Sequence, residues 1–137
     1  MPQRHHFISY STADAQEFAY RLHDALEGGS PPIPAWLDKR DLIAGRDWDS
    51  QIRDAIRDCE TLLFVLTPDS MTDNSVCHDE WALALKYKKP IIPLHLDPKA
   101  EAPFRLQNRQ QIDCTGAFES GIAALREVLR WMATPEG

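Results

Sequence analysis

Glu80 is the residue whose type and setting most invite chemistry. In the segment SVCHDEWALALKYKKP (75–90), Cys77, Trp81, Ala84 and Leu85 recur at helical spacing and define an apolar face. Val76, Glu80, Leu83 and Ala84 lie three and four apart, so their side chains neighbour one another. Glu80 therefore borders the apolar stripe, while Asp79 points further outward. The carboxylate falls within the first two turns of a helix entered from the end of an apolar strand. A carboxylate there is suited to stabilising positive charge on a substrate. Glutamate is also a good helix former and an ordinary surface residue. Residue type alone leaves both readings open.

Other common chemistries lack their residues. No GxxxxGK[ST] phosphate loop is present, and the first strand is followed by Ser11, Thr12 and Ala13 rather than GxGxxG. HExxH and GxSxG are also missing. Asp14, Asp69 and Asp97 flank strand ends, which raises a phosphate-receiver reading. A receiver needs an acidic pair after its first strand and an aspartate after its third. Tyr10 and Ser11 stand at the first place, Thr67 and Pro68 at the second. Cys59, Cys77 and Cys114 match no zinc or CxxC spacing and read as small buried hydrophobes. His5 and His6 fall at the opposite, amino edge of the sheet from Cys77 and His78, so no metal site is expected. His95 reads as a packed or hydrogen-bonded strand residue.

Composition narrows the partners. The chain has 137 residues, 15 of them Lys or Arg and 21 Asp or Glu, for a formal charge of −6. That balance gives no footprint for nucleic acid or an anionic membrane. No apolar run reaches transmembrane length, and MPQRHHFISYS lacks a signal-peptide core. A cytoplasmic domain is the expectation.

The elements that must hold Glu80 follow from periodicity. His5 to Tyr10 reads as a strand. Phe18, Leu22 and Leu26 mark a helix over 14–27, stopped by Gly28, Gly29 and Ser30. A short strand is expected at 35–38, then a polar loop at 39–47 and a helix capped by Asp47, with Trp48, Ile52, Ala55, Ile56 and Cys59 on its apolar face. Thr61 to Thr67 is almost wholly apolar, which suits a parallel strand covered on both faces. Asn74 or Ser75 is a candidate cap for the helix over about 75–88. Residues 90–96 read as a strand, whose internal Pro93 argues against a central position. A long connection over 97–109 leads to a short strand at 111–114. Phe118, Ile122, Leu125, Leu129 and Met132 then form the clearest helix face. Alternating strands and helices imply a flavodoxin-like α/β three-layer sandwich with a five-stranded parallel sheet, order 2-1-3-4-5. Ligands collect beyond the carboxyl ends of such strands, where loops 11–13, 39–47, 68–75 and 97–109 would lie.

Three stretches, in order, resemble the TIR domain family, named for Toll and interleukin-1 receptors and plant resistance proteins. FISYSTAD (7–14) resembles its first box. WLDKRDLIAGRDWDSQIRDAIRDC (36–59) resembles its second strand, BB loop and following helix, with Asp38, Asp41, Leu42 and Gly45 at the expected places. TLLFVLTPDSMTDNSVCHDEWALALKYKKPIIPL (61–94) resembles the third strand to the fourth, including Asn74, Ser75, Cys77 and Glu80. Phe118 stands for the aromatic third box. The resemblance is greatest to bacterial members and spans about residues 5–131, within a domain assigned to 1–132. Residues 133–137 would begin a linker to a further domain.

The resemblance implies an NAD glycohydrolase that cleaves the nicotinamide–ribose bond, giving ADP-ribose or a cyclic isomer, with NAD as substrate and no cofactor. It implies activation by homotypic self-assembly, a sensor domain or protein outside this chain, and a role in bacterial antiphage defence. Its catalytic residue maps to Glu80. Its nucleotide pocket maps to Tyr10, Ser11 and Thr12, to Arg46, Asp47 and Trp48, and to Ser70. Catalytic members often carry Trp four residues before the glutamate, where this chain has Val76. Some carry a basic residue where Ser11 stands. The family also contains non-enzymatic adaptors that act through TIR–TIR contacts, and that is the alternative.

Overall fold

The computed structural model describes residues 5–29, 31–37, 45, 47–70, 76–97 and 111–134, and for 76–78 the backbone only. In chain order the elements are β1 (His6–Ser9), α1 (Gln16–Glu27), β2 (Ala35–Trp36), α2 (Trp48–Asp58), β3 (Thr61–Leu66), α3 (Val76–Lys86), β4 (Ile91–His95), β5 (Ile112–Asp113) and α4 (Phe118–Met132). The strands form one parallel sheet in the order β2-β1-β3-β4-β5. This is the flavodoxin-like sandwich that the alternation of periods predicts.

The sheet separates two apolar clusters. Ile8, Leu63, Val65 and Leu94 pack with Leu22 and Leu26 of α1 and with Leu125 and Leu129 of α4. Phe7, Leu62, Phe64 and Leu66 pack on the other face with Ile56 of α2 and Trp81 and Ala84 of α3. Successive strand residues point to opposite faces, and every residue of β1 and β3 is buried. Hence both strands read as continuous apolar runs rather than alternating ones. Phe7 stacks on Trp36 with centroids 5.0 Å apart and planes at 14°.

Pro93 sits deeper in the sheet than its chemistry suggests. β4 has β3 on one side and β5 on the other. Pro90 accepts from Leu62 and Leu96 donates to Leu66, so the even-numbered residues of this segment face β3. The odd-numbered residues face β5, as the His95 carbonyl does in accepting from Cys114. The donor that Pro93 lacks therefore falls on the β5 side. There the described pairing starts at Leu94↔Ile112, so no ladder bond among the described residues is lost.

Arg126 ties α4 to the end of α1. Its Nη2 donates to the carbonyls of Ala25 (2.9 Å) and Leu26 (3.3 Å), and its Nη1 to that of Pro31 (3.3 Å). Those carbonyls include ones the last helical turn leaves without an intrahelical donor.

Candidate functional site

Glu80 is more deeply set than a residue bordering a stripe. It is only 5% exposed, whereas the adjacent Asp79 is exposed. Two described elements help to fix it. The first is α3, whose Trp81 and Ala84 are buried against the sheet and hold the helix down. The second is β1, whose Ser9 hydroxyl donates to Glu80 Oε1 at 2.6 Å. Ser9 is fully buried. Strand alternation puts Ser9 on the Phe7 face, toward α2 and α3, and Tyr10 on the Ile8 face, toward α1 and α4.

Beside Glu80 a cavity of about 250 Å³ opens between α2 and α3. Ile52, Ile56 and Leu83 supply apolar wall, and Asp49, Arg53 and Asp79 add charge. Three carboxylates against one guanidinium make it net negative. It suits a flat, partly apolar group that carries positive charge. A larger cavity, about 560 Å³, lies at the amino edge of the sheet among His6, Glu60, Lys88, Lys89 and Met132. It holds none of the residues assigned to chemistry, so the smaller cavity is the candidate site despite its size.

A second polar group lies at the carboxyl edge. Ser11, 7% exposed, donates from its hydroxyl to the Asp69 carboxylate. Asp14 accepts from the Thr67 hydroxyl at 2.7 Å and from the Asp69 backbone N–H at 3.1 Å. Ser70, 1% exposed, accepts from the Thr67 N–H at 2.9 Å and donates to the Thr67 carbonyl at 3.0 Å. These bonds lace the loop after β1 to the loop after β3. Buried hydroxyls and carboxylates are costly unless bonded in this way.

The residues assigned from sequence thus separate into groups. Ser11 and Ser70 share the carboxyl-edge network, and Thr12 is exposed beside it. Tyr10, 6% exposed, belongs to the core on the face away from Glu80. Asp47 caps α2, accepting from the Ser50 N–H at 3.3 Å and the Ser50 hydroxyl at 2.6 Å. The Ser50 hydroxyl is the main cause holding its carboxyl below the ordinary carboxylate range. Trp48 is 63% exposed at the first position of α2. Arg46, Asp38, Asp41, Leu42, Asn74 and Ser75 lie outside the described residues, as do the side chains of Val76 and Cys77.

Sequence reasoning missed Ser9, and it weighed Asp14, Asp69 and Thr67 only against a phosphate receiver and not as one hydrogen-bonded group. Ser9 left one signal, a hydroxyl at an inward position of a strand buried on both faces. Burial pushes the thiols of Cys59 and Cys114 up to about 11, which keeps them protonated and unreactive. Among the described residues no group of three His, Cys, Asp or Glu side chains is placed to hold a metal ion, and no helix is long and apolar enough to cross a membrane.

A family model described as TIR domain matches residues 7–129. The TIR domain of the Toll-related receptor TRR-2 from Hydra magnipapillata superposes with a TM-score of 0.74 at 22% identity, covering 96% of this chain and 100% of that one. A prokaryotic SEFIR domain gives 0.66 at 19%, covering 96% and 100%. A chain of the RPS4 and RRS1 TIR domain heterodimer gives 0.60 at 14%, covering 93% and 97%. Similarity thus extends to eukaryotic and prokaryotic domains alike and singles out no bacterial NAD-cleaving type. No curated protein matches the sequence.

Proposed function

This chain belongs to the TIR domain family, and from that premise we propose that it is a signalling domain that works by homotypic association with other TIR domains. Family membership carries the reading, and the solved heterodimer of two TIR domains supports it. Trp48 and Trp131, 63% and 57% exposed, agree with it. Trp48 opens α2 near the carboxyl edge and Trp131 closes α4 near the amino edge. Exposed tryptophans are enriched at interfaces. Light scattering across a concentration series tests association directly. The apparent mass should climb above the 15.6 kDa of one chain. A mass that stays there over the whole series ends the reading.

A second reading, NAD cleavage at the same domain, is favoured by the setting of Glu80. The nicotinamide ring of NAD is a flat cation, and the cavity beside Glu80 combines apolar walls with carboxylates. Breaking the nicotinamide–ribose bond develops oxocarbenium character at the ribose carbon. The bonding pair leaves with the ring, which departs as neutral nicotinamide, so no general acid is needed. A carboxylate fixed beside that carbon stabilises the developing charge. Water then adds to that carbon and gives ADP-ribose, or an adenine nitrogen attacks it and gives a cyclic isomer, and in either case one proton passes to solvent. Ser11, Thr12 and Ser70, with Asp47 and Trp48, would contact the rest of the nucleotide. Concentrated protein incubated with NAD should release nicotinamide, followed by chromatography, and Glu80→Gln should abolish that release. Equal release by the two proteins refutes a role for the carboxylate.

A further inference from the structure

We propose that Ser9 is a positioning residue for Glu80, holding its carboxylate in one setting at the wall of the cavity; this rests on the NAD-cleavage reading of Glu80. Along the sheet, the neighbours of Ser9 on its own face are apolar. Phe7 precedes it by one strand period, and Phe64 is its register partner on β3; both are fully buried. A hydroxyl in such a place costs stability unless it is bonded, and Glu80 Oε1 accepts its proton at 2.6 Å. That length falls in the range of a hydroxyl bonded to an ionised carboxylate.

The geometry also suits the chemistry. Glutamate reaches its target through three rotatable bonds and must be held in one of their settings. A donor on the second strand of a five-stranded sheet is rigid, because β1 is paired on both sides. It needs no reorganisation as charge develops on the substrate. A hydrogen bond to the charged form of an acid favours that form. Asp49, Arg53 and Asp79 share the cavity with Glu80 and are unchanged in every Ser9 variant. Ser9 touches no reacting atom, and its effect passes through the carboxylate.

The test compares the parent chain with Ser9→Ala, Ser9→Cys, Ser9→Thr and Glu80→Gln. Nicotinamide release from NAD is followed against pH, and the Glu80 side-chain carboxyl is followed by carbon NMR. Ser9→Ala should lower kcat about 10- to 100-fold with KM little changed, the usual scale for a lost supporting contact. The acid limb of its rate profile should move to higher pH, and the Glu80 carboxyl should titrate at higher pH than in the parent. Ser9→Cys keeps the size with a weaker donor and should show the same shifts should Ser9→Ala not fold. Ser9→Thr keeps the hydroxyl and should restore most of the rate. A Ser9→Ala or Ser9→Cys protein with the parent's rate profile and Glu80 titration overturns the proposal, since a merely structural serine would alter melting alone. A parent that releases no nicotinamide refutes the NAD reading and with it any catalytic service from Ser9. The NMR titration then reads separately whether Ser9 holds the carboxylate.

Discussion

His6 shows how one buried residue links stability to pH. It opens β1 at 7% exposure, and its Nδ1 lies 2.6 Å from the Thr61 hydroxyl on β3. Burial pushes its pKa below the ordinary 6.5, and neighbouring His5 adds to the fall. Glu60, whose carboxylate is 3.8 Å from Nε2, pulls the other way without winning. The folded protein therefore takes up the His6 proton less readily than the unfolded chain. Stability from this site is complete above pH 6.5. It is lost as pH falls from 6.5 toward the depressed folded value, because the unfolded state binds more protons there. Urea unfolding of the parent and of His6→Gln at several pH values between 7.5 and 5 should show the parent losing stability more steeply on acidification. Parallel pH dependences in the two proteins would refute the assignment to His6.

At the scale of elements, the joint between α1 and α4 depends on a glycine making room for an arginine. A Cβ placed on Gly29 would lie 1.3 Å from Arg126 Nη2, so alanine there must expel the guanidinium. Expulsion breaks the bonds to the carbonyls of Ala25, Leu26 and Pro31 together. Arg126→Ala should cost about 1–2 kcal/mol through those charge-assisted bonds. Gly29→Ala should cost a similar amount, and the double variant little more than either alone. A coupling of about 1 kcal/mol in a double-mutant cycle of denaturant unfolding is the expected result. Additive losses would show that Gly29 serves the turn and not the arginine.

The same joint shows what sequence conveys and what it does not. The apolar faces of α1 and α4 are written at spacings of three and four, and Asp47 as the cap of α2 is equally local, so all were legible. Arg126 meeting Gly29 joins positions 97 residues apart and leaves no local trace. Ser9 meeting Glu80 and Ser11 meeting Asp69 are hidden for the same reason. Glu80 was visible as a helix residue, but its depth depends on how tightly α3 lies on the sheet. Pro93 is tolerated between two strands because its missing donor faces β5, and which neighbour it faces is a matter of register.

Across the whole molecule, β1 and β3 are shared by two cores, and that sharing should make folding a single event. Leu62 and Leu63 are adjacent and both fully buried, yet they serve opposite clusters. Truncating either to alanine removes apolar burial and leaves a cavity, a loss of about 2–5 kcal/mol. If the cores were independent, Leu63→Ala would loosen only the α1 and α4 layer. In a Trp131→Phe background the remaining tryptophans, Trp36, Trp48 and Trp81, all lie on the α2 and α3 side of the sheet, so fluorescence would report no change. Far-UV circular dichroism, which sees the helices of both layers, would then fall before fluorescence. The backbone ladder argues otherwise, because β3 cannot release Leu63 without also moving Leu62 and Phe64, which pair with β4 and β1. Both variants should therefore unfold with coincident fluorescence and dichroism transitions, displaced to lower denaturant by similar amounts. A separation of the two signals in Leu63→Ala would show the cores to be separable and the sheet a weaker coupling than its pairing implies.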